Sequence, residues 1–152
     1  MNKELSRHDI RVMAVQALFP LDFNEDLSRK DAIEQAIELE HGEMIDEEQE
    51  KFIPEYLDIL VTGVCEHKVE LDQLIETHLK KGWHLSRLSK MDVIVLKIAL
   101  FEMMYIEEVP GKVAVNEAIE LTKTFSDDQS RKFVNGILSN ILKELDEANK
   151  EK

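Results

Sequence analysis

The segment "MDVIVLKIALFEMMYI", residues 91–106, constrains the fold more than any other part of the chain. It is apolar on almost every side of a helical wheel, which is typical of a helix surrounded by other helices. Asp92, Lys97 and Glu102 interrupt the segment, and it is too short to span a bilayer. Ser89 stands three residues before Asp92, in the pattern of a helix cap. We therefore predict a central core helix and expect no membrane partner.

The rest of the chain also has apolar residues at helical spacing. Pro20 is predicted to end the first helix and Gly82 the fourth, because proline interrupts helical hydrogen bonding and glycine favours the position after a helix. With 43% hydrophobic residues, five Gly and three Pro, the composition indicates a helix-rich globule. Further helices are predicted over residues 7–19, 28–40, 113–125 and 128–148. Another begins at Pro54, and residues 71–79 either continue it or form a separate helix after a bend near His67.

These helices predict an all-α protein of about seven helices. Residues 41–50 are polar and are predicted to form a connection on the surface. At 152 residues the chain has the length of one ordinary domain, so we expect a single domain over residues 1–152 whose last few residues are disordered.

The acidic charge of the chain is concentrated in one segment. The net charge is −13, and residues 31–58 hold eleven acidic residues and one basic residue. The remainder is close to neutral, so a separate face can still attract a polyanion such as RNA. We interpret the segment as a solvated helix face and loop, with a protein-docking surface as the alternative.

The motifs of common enzymes and metal sites are absent from the sequence. There is no Gly-rich phosphate loop, no His-Glu-x-x-His, no Gly-x-Ser-x-Gly and no Cys/His cluster at zinc spacing. Cys65 lies in an apolar stripe and is predicted to be a core residue. His78 and His84 flank a turn without evident partners and are interpreted as structural or surface residues. We predict no catalytic residue, cofactor or metal and, from the charged N-terminus and single cysteine, a cytoplasmic protein.

The stretch "SRKFVNGILSNIL", residues 130–142, holds two conflicting signals. Asn135-Gly136 is a cue for a hairpin turn, whereas the apolar spacing predicts a helix. At 100° per residue the apolar residues form one stripe that continues through this pair, so we predict a helix. Phe133 lies at the rim of the stripe, and Lys132 lies opposite it. Because Gly136 costs about 1 kcal/mol relative to Ala in a helix, we expect a close approach of another backbone or a ligand there.

Cations near the N-terminus offer a further candidate surface. Lys3, Arg7, His8 and Arg11 are spread over the start of the first predicted helix, with acidic residues between them. They form either a solvated pair of helical turns or an arm that binds phosphate groups.

Three blocks of the sequence, in order, resemble the family of the transcription antitermination factor NusB. "RHDIRVMAVQALF" is similar to the family's basic opening, "WHLSRLSKMDVIVLKIALFEM" to its central block and "VPGKVAVNEAIELTKTFSDDQSRKFVNGIL" to its most distinctive segment. The likeness covers residues 6–142 and implies two small packed helical bundles. It also implies a non-enzymatic protein that binds the boxA sequence of ribosomal RNA leader transcripts. That binding is shared with NusE, a ribosomal protein, inside an RNA polymerase antitermination complex.

The resemblance also implies roles for single residues. Phe19 takes the place of a usual tyrosine, and Asp92 matches an acidic position tied to NusE contact. The family's consecutive arginines are thinned here, since Asp9 follows Arg7 and His8, and Gln129 stands where an acidic residue is frequent. The expected RNA-binding residues are Lys3, Arg7, His8, Arg11, Phe19, Lys132 and Phe133, and the expected partner-binding residues are Asp92 and Gly136.

Two other functions compete with the antitermination hypothesis. A NusB-like domain also occurs fused to an rRNA cytosine methyltransferase, but the chain holds no such segment and no catalytic Cys on a loop, so we expect no enzyme. The second alternative is a helical protein-protein adaptor without direct RNA contact, which the acidic segment would suit. The apolar pattern leaves both a monomer and a homodimer open.

Overall fold

The structure is a computed structural model, and it describes residues 5–41 and 53–150. This part of the chain holds seven α-helices and one short 3-10 helix, Leu85–Arg87, which confirms the all-α prediction. The α-helices are α1 (Arg7–Phe23), α2 (Arg29–His41), α3 (Glu55–Glu66), α4 (Lys68–Thr77), α5 (Lys90–Tyr105), α6 (Gly111–Phe125) and α7 (Asp128–Lys150). Three parts of the predictions lie outside the described residues. They are Lys3, the predicted connection at 41–50 except for its first residue, and the end of the chain at 151–152.

The chain divides into two compact units, Met1–Glu66 and His67–Lys152, which are the two small bundles expected from the resemblance. In the first unit, α1, α2 and α3 all pack against one another. The Ser28 hydroxyl accepts a hydrogen bond of 3.1 Å from the Asp31 N–H and so caps α2 as predicted. The core of this unit is aliphatic, with fully buried side chains that include Met13, Ile33 and Leu57.

In the second unit, α5 packs against α4, α6 and α7, and its residues from Asp92 to Glu102 are all buried. The prediction of a central core helix is thereby confirmed. Ser89 caps this helix, because its hydroxyl accepts the Asp92 N–H at 3.4 Å. The buried Lys97 ammonium lies 2.6 Å from Asp72 Oδ1, so a charge inside the core is paired across α5 and α4.

Two predicted helix ends are wrong. Helix α1 continues through Pro20 to Phe23, because a proline in the last turn removes a single N–H and its carbonyl still accepts a bond of 3.1 Å from Asn24. Helix α4 ends at Thr77, five residues before Gly82. The Thr77 hydroxyl donates to the Leu74 carbonyl, and this side-chain contact competes with continuation of the helix.

The conflict at Asn135-Gly136 resolves as a helix, because α7 runs through the pair without a break. The stripe on the inner face is buried at Val134, Leu138 and Ile141, as the wheel predicts. No helix in the described part of the chain combines the length and hydropathy that a bilayer crossing requires.

The predictions for the single cysteine and for two histidines need correction. Cys65 is half-buried rather than a core residue. His78 and His84 do have partners, since His78 Nε2 lies 2.7 Å from Glu144 Oε2 and His84 Nδ1 lies 3.4 Å from Glu76 Oε1. The Glu144 contact joins residues 66 positions apart, so no local sequence pattern could reveal it.

Candidate nucleic-acid and partner surfaces

The guanidinium of Arg7 is held in place by an aromatic ring. Its Cζ lies 3.6 Å from the centroid of the Tyr56 ring, which belongs to α3 and is itself buried. This cation–π contact fixes the charge at the start of α1, and Arg7 remains exposed to solvent. A positioned guanidinium can donate two parallel hydrogen bonds to a phosphate group.

The acidic residue among these cations has a structural role. Ser6 Oγ accepts the Asp9 N–H at 3.0 Å, and Asp9 Oδ2 accepts the Ser6 N–H at 3.3 Å. The two residues form a capping box that satisfies orphan donors at the start of α1. Asp9 therefore has a structural role in ordering the start of α1. The spacing Ser6-x-x-Asp9 is the sequence signal of this cap.

The other predicted cations of α1 differ in their exposure. His8 is half-buried, whereas Arg11 is only 3% exposed. A phosphate group cannot reach Arg11 in this conformation, so RNA contact by Arg11 stays a prediction that requires its side chain to swing outward. Within residues 5–41, α1 thus exposes the cation of Arg7, and His8 adds a half-buried imidazole beside it.

The C-terminal end of α1 carries an aromatic pair. Phe19 and Phe23 have ring centroids 4.9 Å apart with an interplanar angle of 59°, and Phe23 is largely exposed. At 100° and 1.5 Å per residue, Phe19 lies within about 20° of the direction of His8 and about 16 Å further along the axis. One face of α1 therefore carries the half-buried imidazole of His8 near its start and the half-buried ring of Phe19 near its end.

Asp92 is buried and is fully engaged inside the second unit. Its Oδ1 accepts a hydrogen bond from Ser126 Oγ at 3.0 Å, and its Oδ2 accepts one from Ser130 Oγ at 2.7 Å. The carboxylate of α5 thus holds the loop before α7 and the first turn of α7. We infer that Asp92 positions α7, and its direct contact with a partner remains a prediction. Sequence reasoning missed both serines, because they lie 34 and 38 residues away.

The start of α7 presents the predicted residues of the second surface. Lys132 is exposed and forms no ion pair within residues 5–41 and 53–150, whereas the neighbouring Arg131 lies 3.6 Å from Asp128. Phe133 is half-buried at the rim of the helix, as predicted. A Cβ added at Gly136 would meet no atom within 4 Å. The close approach of another backbone expected at Gly136 is therefore not made within the described residues, and contact with a ligand there stays a prediction.

Two displaced pKa values belong to contacts between helices of the second unit. Burial lowers the pKa of His78, but hydrogen bonds with the Leu74 carbonyl and the Glu144 carboxylate outweigh it, so the net pKa is raised. The Tyr105 hydroxyl donates to Glu70 at 2.5 Å, and this bond raises the pKa of the phenol. Both contacts connect α4, or the residue that follows it, to another helix.

The fold and these surfaces define a class of protein, an all-helical chain of two small bundles that presents cations and aromatic rings at helix ends. In the described residues, no three His, Cys, Asp or Glu side chains converge as a metal site requires. The chain belongs to the NusB family, whose model matches residues 8–143.

Individual relatives agree with this assignment over nearly their whole length. The transcription antitermination protein NusB of Enterococcus faecalis is 54% identical over 143 residues, which cover 94% of this chain and 93% of the relative. The protein of the same name from Lactiplantibacillus plantarum is 50% identical and covers 91% of this chain and 96% of its own.

Solved structures share the fold. T. maritima NusB superimposes with a TM-score of 0.78 at 33% identity, and the match covers 93% of this chain and 94% of that chain. A chain from a crystal structure of the antitermination factors NusB and NusE with double-stranded RNA has a TM-score of 0.75 at 25% identity. That match covers 91% of this chain and 96% of the other.

Proposed function

We propose that this protein is a transcription antitermination factor that binds boxA-type leader RNA of ribosomal RNA operons together with NusE. It does so as part of an RNA polymerase antitermination complex, and it is an adaptor rather than an enzyme. The observation that carries this proposal is the likeness, over 91% of the chain, to a protein solved in complex with NusE and RNA. Because nascent transcripts are made in the bacterial cytoplasm, the protein acts there.

The first RNA surface is the exposed face of α1. Arg7, held over Tyr56, contacts a phosphate group, and His8 adds a second donor. Phe19 then provides a ring on which an unpaired base stacks, as aromatic side chains do in single-stranded RNA recognition. Lys3 and Arg11 are proposed to extend this surface when RNA is bound.

The second surface is the start of α7. Lys132 contributes an exposed charge, and Phe133 contributes an aromatic edge. The missing side chain at Gly136 leaves open space over the helix, which lets NusE or RNA approach the backbone closely. Asp92 supports this surface because its carboxylate anchors the first turn of α7.

One exposed cation and one half-buried histidine on α1 make few phosphate contacts, and the net charge of −13 repels polyanions at long range. The isolated protein is therefore expected to bind RNA weakly, and NusE supplies the remaining contacts of a composite surface. A protein-protein adaptor without RNA contact is the alternative function. It is favoured by the acidic segment 31–58 and by the burial of Arg11.

Binding of a labelled boxA RNA to the mixture of this protein and NusE tests the proposal. Tight, salt-sensitive binding is expected, and Arg7→Glu and Lys132→Glu should each weaken it about tenfold and flatten the salt dependence. Lys30→Glu on α2 makes the same charge change at an exposed residue outside both surfaces and should leave binding unchanged. Equal affinity for a scrambled RNA, or indifference to both test substitutions, would establish the adaptor alternative instead.

A further inference from the structure

Residues 80–90, "KKGWHLSRLSK", form a basic and aromatic segment that has no role in the surfaces above; we refer to it as the tryptophan turn. It holds four Lys and Arg residues, one His and the only Trp of the chain. No acidic residue occurs between Thr77 and Met91. A concentration of positive charge in a chain of net charge −13 indicates a local attraction for anions.

The backbone fixes the aromatic side chain in place. The Trp83 N–H donates to the Lys80 carbonyl at 2.9 Å, and Gly82 occupies the third position of this turn with a φ of +89°. A type II turn requires such a positive φ, which glycine adopts without strain. The 3-10 helix Leu85–Arg87 follows, closed by a bond of 3.0 Å from the Arg87 N–H to the His84 carbonyl. Trp83 therefore projects from an ordered turn and is 54% exposed.

The charges of the tryptophan turn are available to a ligand. Lys80, Lys81 and Arg87 are exposed, and none of them forms an ion pair with any residue in the described ranges. His84 faces Glu76 at 3.4 Å, on the side of α4. Three unpaired cations beside one open indole face offer both charge contacts and a stacking platform.

We propose that the tryptophan turn binds single-stranded RNA, with a base stacked on Trp83 and phosphates held by Lys80, Lys81 and Arg87. The exposed part of the indole is open to stacking, and every unpaired base presents a planar face that can cover it. The cations lie within a few residues of the ring, as a backbone that runs past a stacked base requires. The contact is sequence-tolerant, because neither stacking nor phosphate binding reads base edges.

A lipid surface and an acidic peptide fit the same segment less well. Membrane binding in the interface needs a continuous apolar face, but Leu85 and Leu88 are half-buried and Trp83 is the one exposed apolar side chain within residues 80–90. An acidic peptide would pair with the cations but has no planar group for the indole. The inference rests on the proposed function in that the protein works on RNA, and it adds a contact for transcript outside the boxA sequence.

Because Trp83 is the only Trp of the chain, its fluorescence reports on this site directly. The full-length protein alone is titrated with a 12-nucleotide oligouridylate at low salt. Saturable quenching of the indole emission that is reversed by added salt is expected from base stacking and counterion release. Emission that stays constant while the RNA binds, or equal quenching by polyglutamate of matched charge, would overturn the proposal.

Variants then separate stacking from charge in a binding assay with labelled oligouridylate. Trp83→Ala should lower the affinity about five- to hundredfold, whereas Trp83→Phe should retain most of it because a ring remains. Lys81→Glu should lower the affinity and flatten the salt dependence, and Lys30→Glu should do neither. Since Trp83, Lys81 and Lys30 are all exposed, helical circular dichroism is expected to be unchanged in each variant.

The oligouridylate and boxA assays test the tryptophan turn and the proposed antitermination function separately. If boxA binding with NusE still falls in Arg7→Glu while Trp83→Ala leaves oligouridylate affinity unchanged, the tryptophan turn has no RNA role and the antitermination assignment stands. If Trp83→Ala weakens oligouridylate binding but boxA is bound no better than a scrambled RNA, the turn binds RNA and the boxA assignment fails.

Discussion

The two units of the chain hold their candidate surfaces by different means. Of the buried polar or charged residues in the described ranges, Arg11 belongs to the first unit and Asp92, Lys97, Glu102 and Thr122 belong to the second. In the first unit the candidate cation Arg7 rests on the buried ring of Tyr56, and a local capping box orders the start of α1. In the second unit a buried carboxylate sets the start of α7.

The difference has a consequence for mutations. A side chain on the surface of the first unit can be changed with little loss of folding free energy, because solvent replaces its contacts. In the second unit, loss of a buried partner leaves polar groups unsatisfied, which costs free energy of unfolding. Substitutions should therefore separate binding from stability in α1 but couple the two at α7.

The largest expected effect comes from Asp92→Ala. This substitution removes the carboxylate that accepts hydrogen bonds from the hydroxyls of Ser126 and Ser130. Hydrogen bonds to charged groups are worth about 1.5–3 kcal/mol each. We expect a loss of about 3 kcal/mol in the free energy of unfolding, measured by urea denaturation. Ser130→Ala, which removes one of these bonds, should cost roughly half as much. An unchanged urea midpoint in Asp92→Ala would refute the anchoring role of this carboxylate.

The matching change in the first unit is Ser6→Ala, which removes the cap of α1. Loss of an N-cap side chain costs about 1 kcal/mol, so this variant should be destabilised less than Asp92→Ala. Ser6→Asp retains an acceptor for the Asp9 N–H and serves as the control. If Ser6→Ala equals Asp92→Ala in its cost, the proposed contrast between the units is wrong.

A smaller effect is expected from Arg7→Lys, which keeps the charge but loses the planar group above Tyr56. A cation–π contact at an exposed site is worth about 0.5–1 kcal/mol, so the free energy of unfolding measured in urea should fall by no more than that. RNA affinity in the presence of NusE should fall about threefold, because an ammonium cannot donate the two parallel hydrogen bonds of a guanidinium. A loss as large as that of Arg7→Glu would mean that geometry, rather than charge, dominates this contact.

The smallest effect is a pH dependence in the second unit. The pKa of His78 is raised on folding, so its pairing with Glu144 stabilises the fold below the unfolded pKa of about 6.5 and fades as pH rises through the folded pKa. Because Glu144 is exposed, the contribution should be below about 1 kcal/mol. Urea denaturation at pH 5.5 and 8.5 should show this loss in the native chain and a smaller one in Glu144→Gln. Identical pH dependence in both proteins would contradict the assignment.

The spacing of apolar residues along the sequence predicted much of the fold. The apolar residues around α5 and the stripe through Asn135-Gly136 both predicted helices that the structure contains, because 3.6-residue spacing is a property of the segment itself. The ends of the helices were harder to predict from the sequence than the helices themselves. Pro20 lies in the last turn of α1, where a proline is tolerated. Helix α4 ends where the Thr77 hydroxyl donates to the Leu74 carbonyl, and residue propensities do not predict when such a side-chain bond replaces a backbone bond.

The candidate surfaces were only partly visible in the sequence. Spacing placed Phe133 at a helix rim, but it did not show that Arg11 is buried or that Tyr56 lies beneath Arg7. The anchoring of Asp92 by Ser126 and Ser130 joins residues more than 30 positions apart. Such contacts depend on the packing of helices, which a one-dimensional pattern does not encode.

The central claim is that RNA contacts both units, through the exposed face of α1 and through the start of α7. Ultraviolet cross-linking of a 4-thiouridine boxA RNA to this protein in the presence of NusE, followed by mass spectrometry of the peptides, tests it most directly. We expect cross-linked peptides that contain Phe19 and Phe133, both of which disappear with a scrambled RNA. Cross-links that miss both peptides, or that persist with the scrambled RNA, would contradict it.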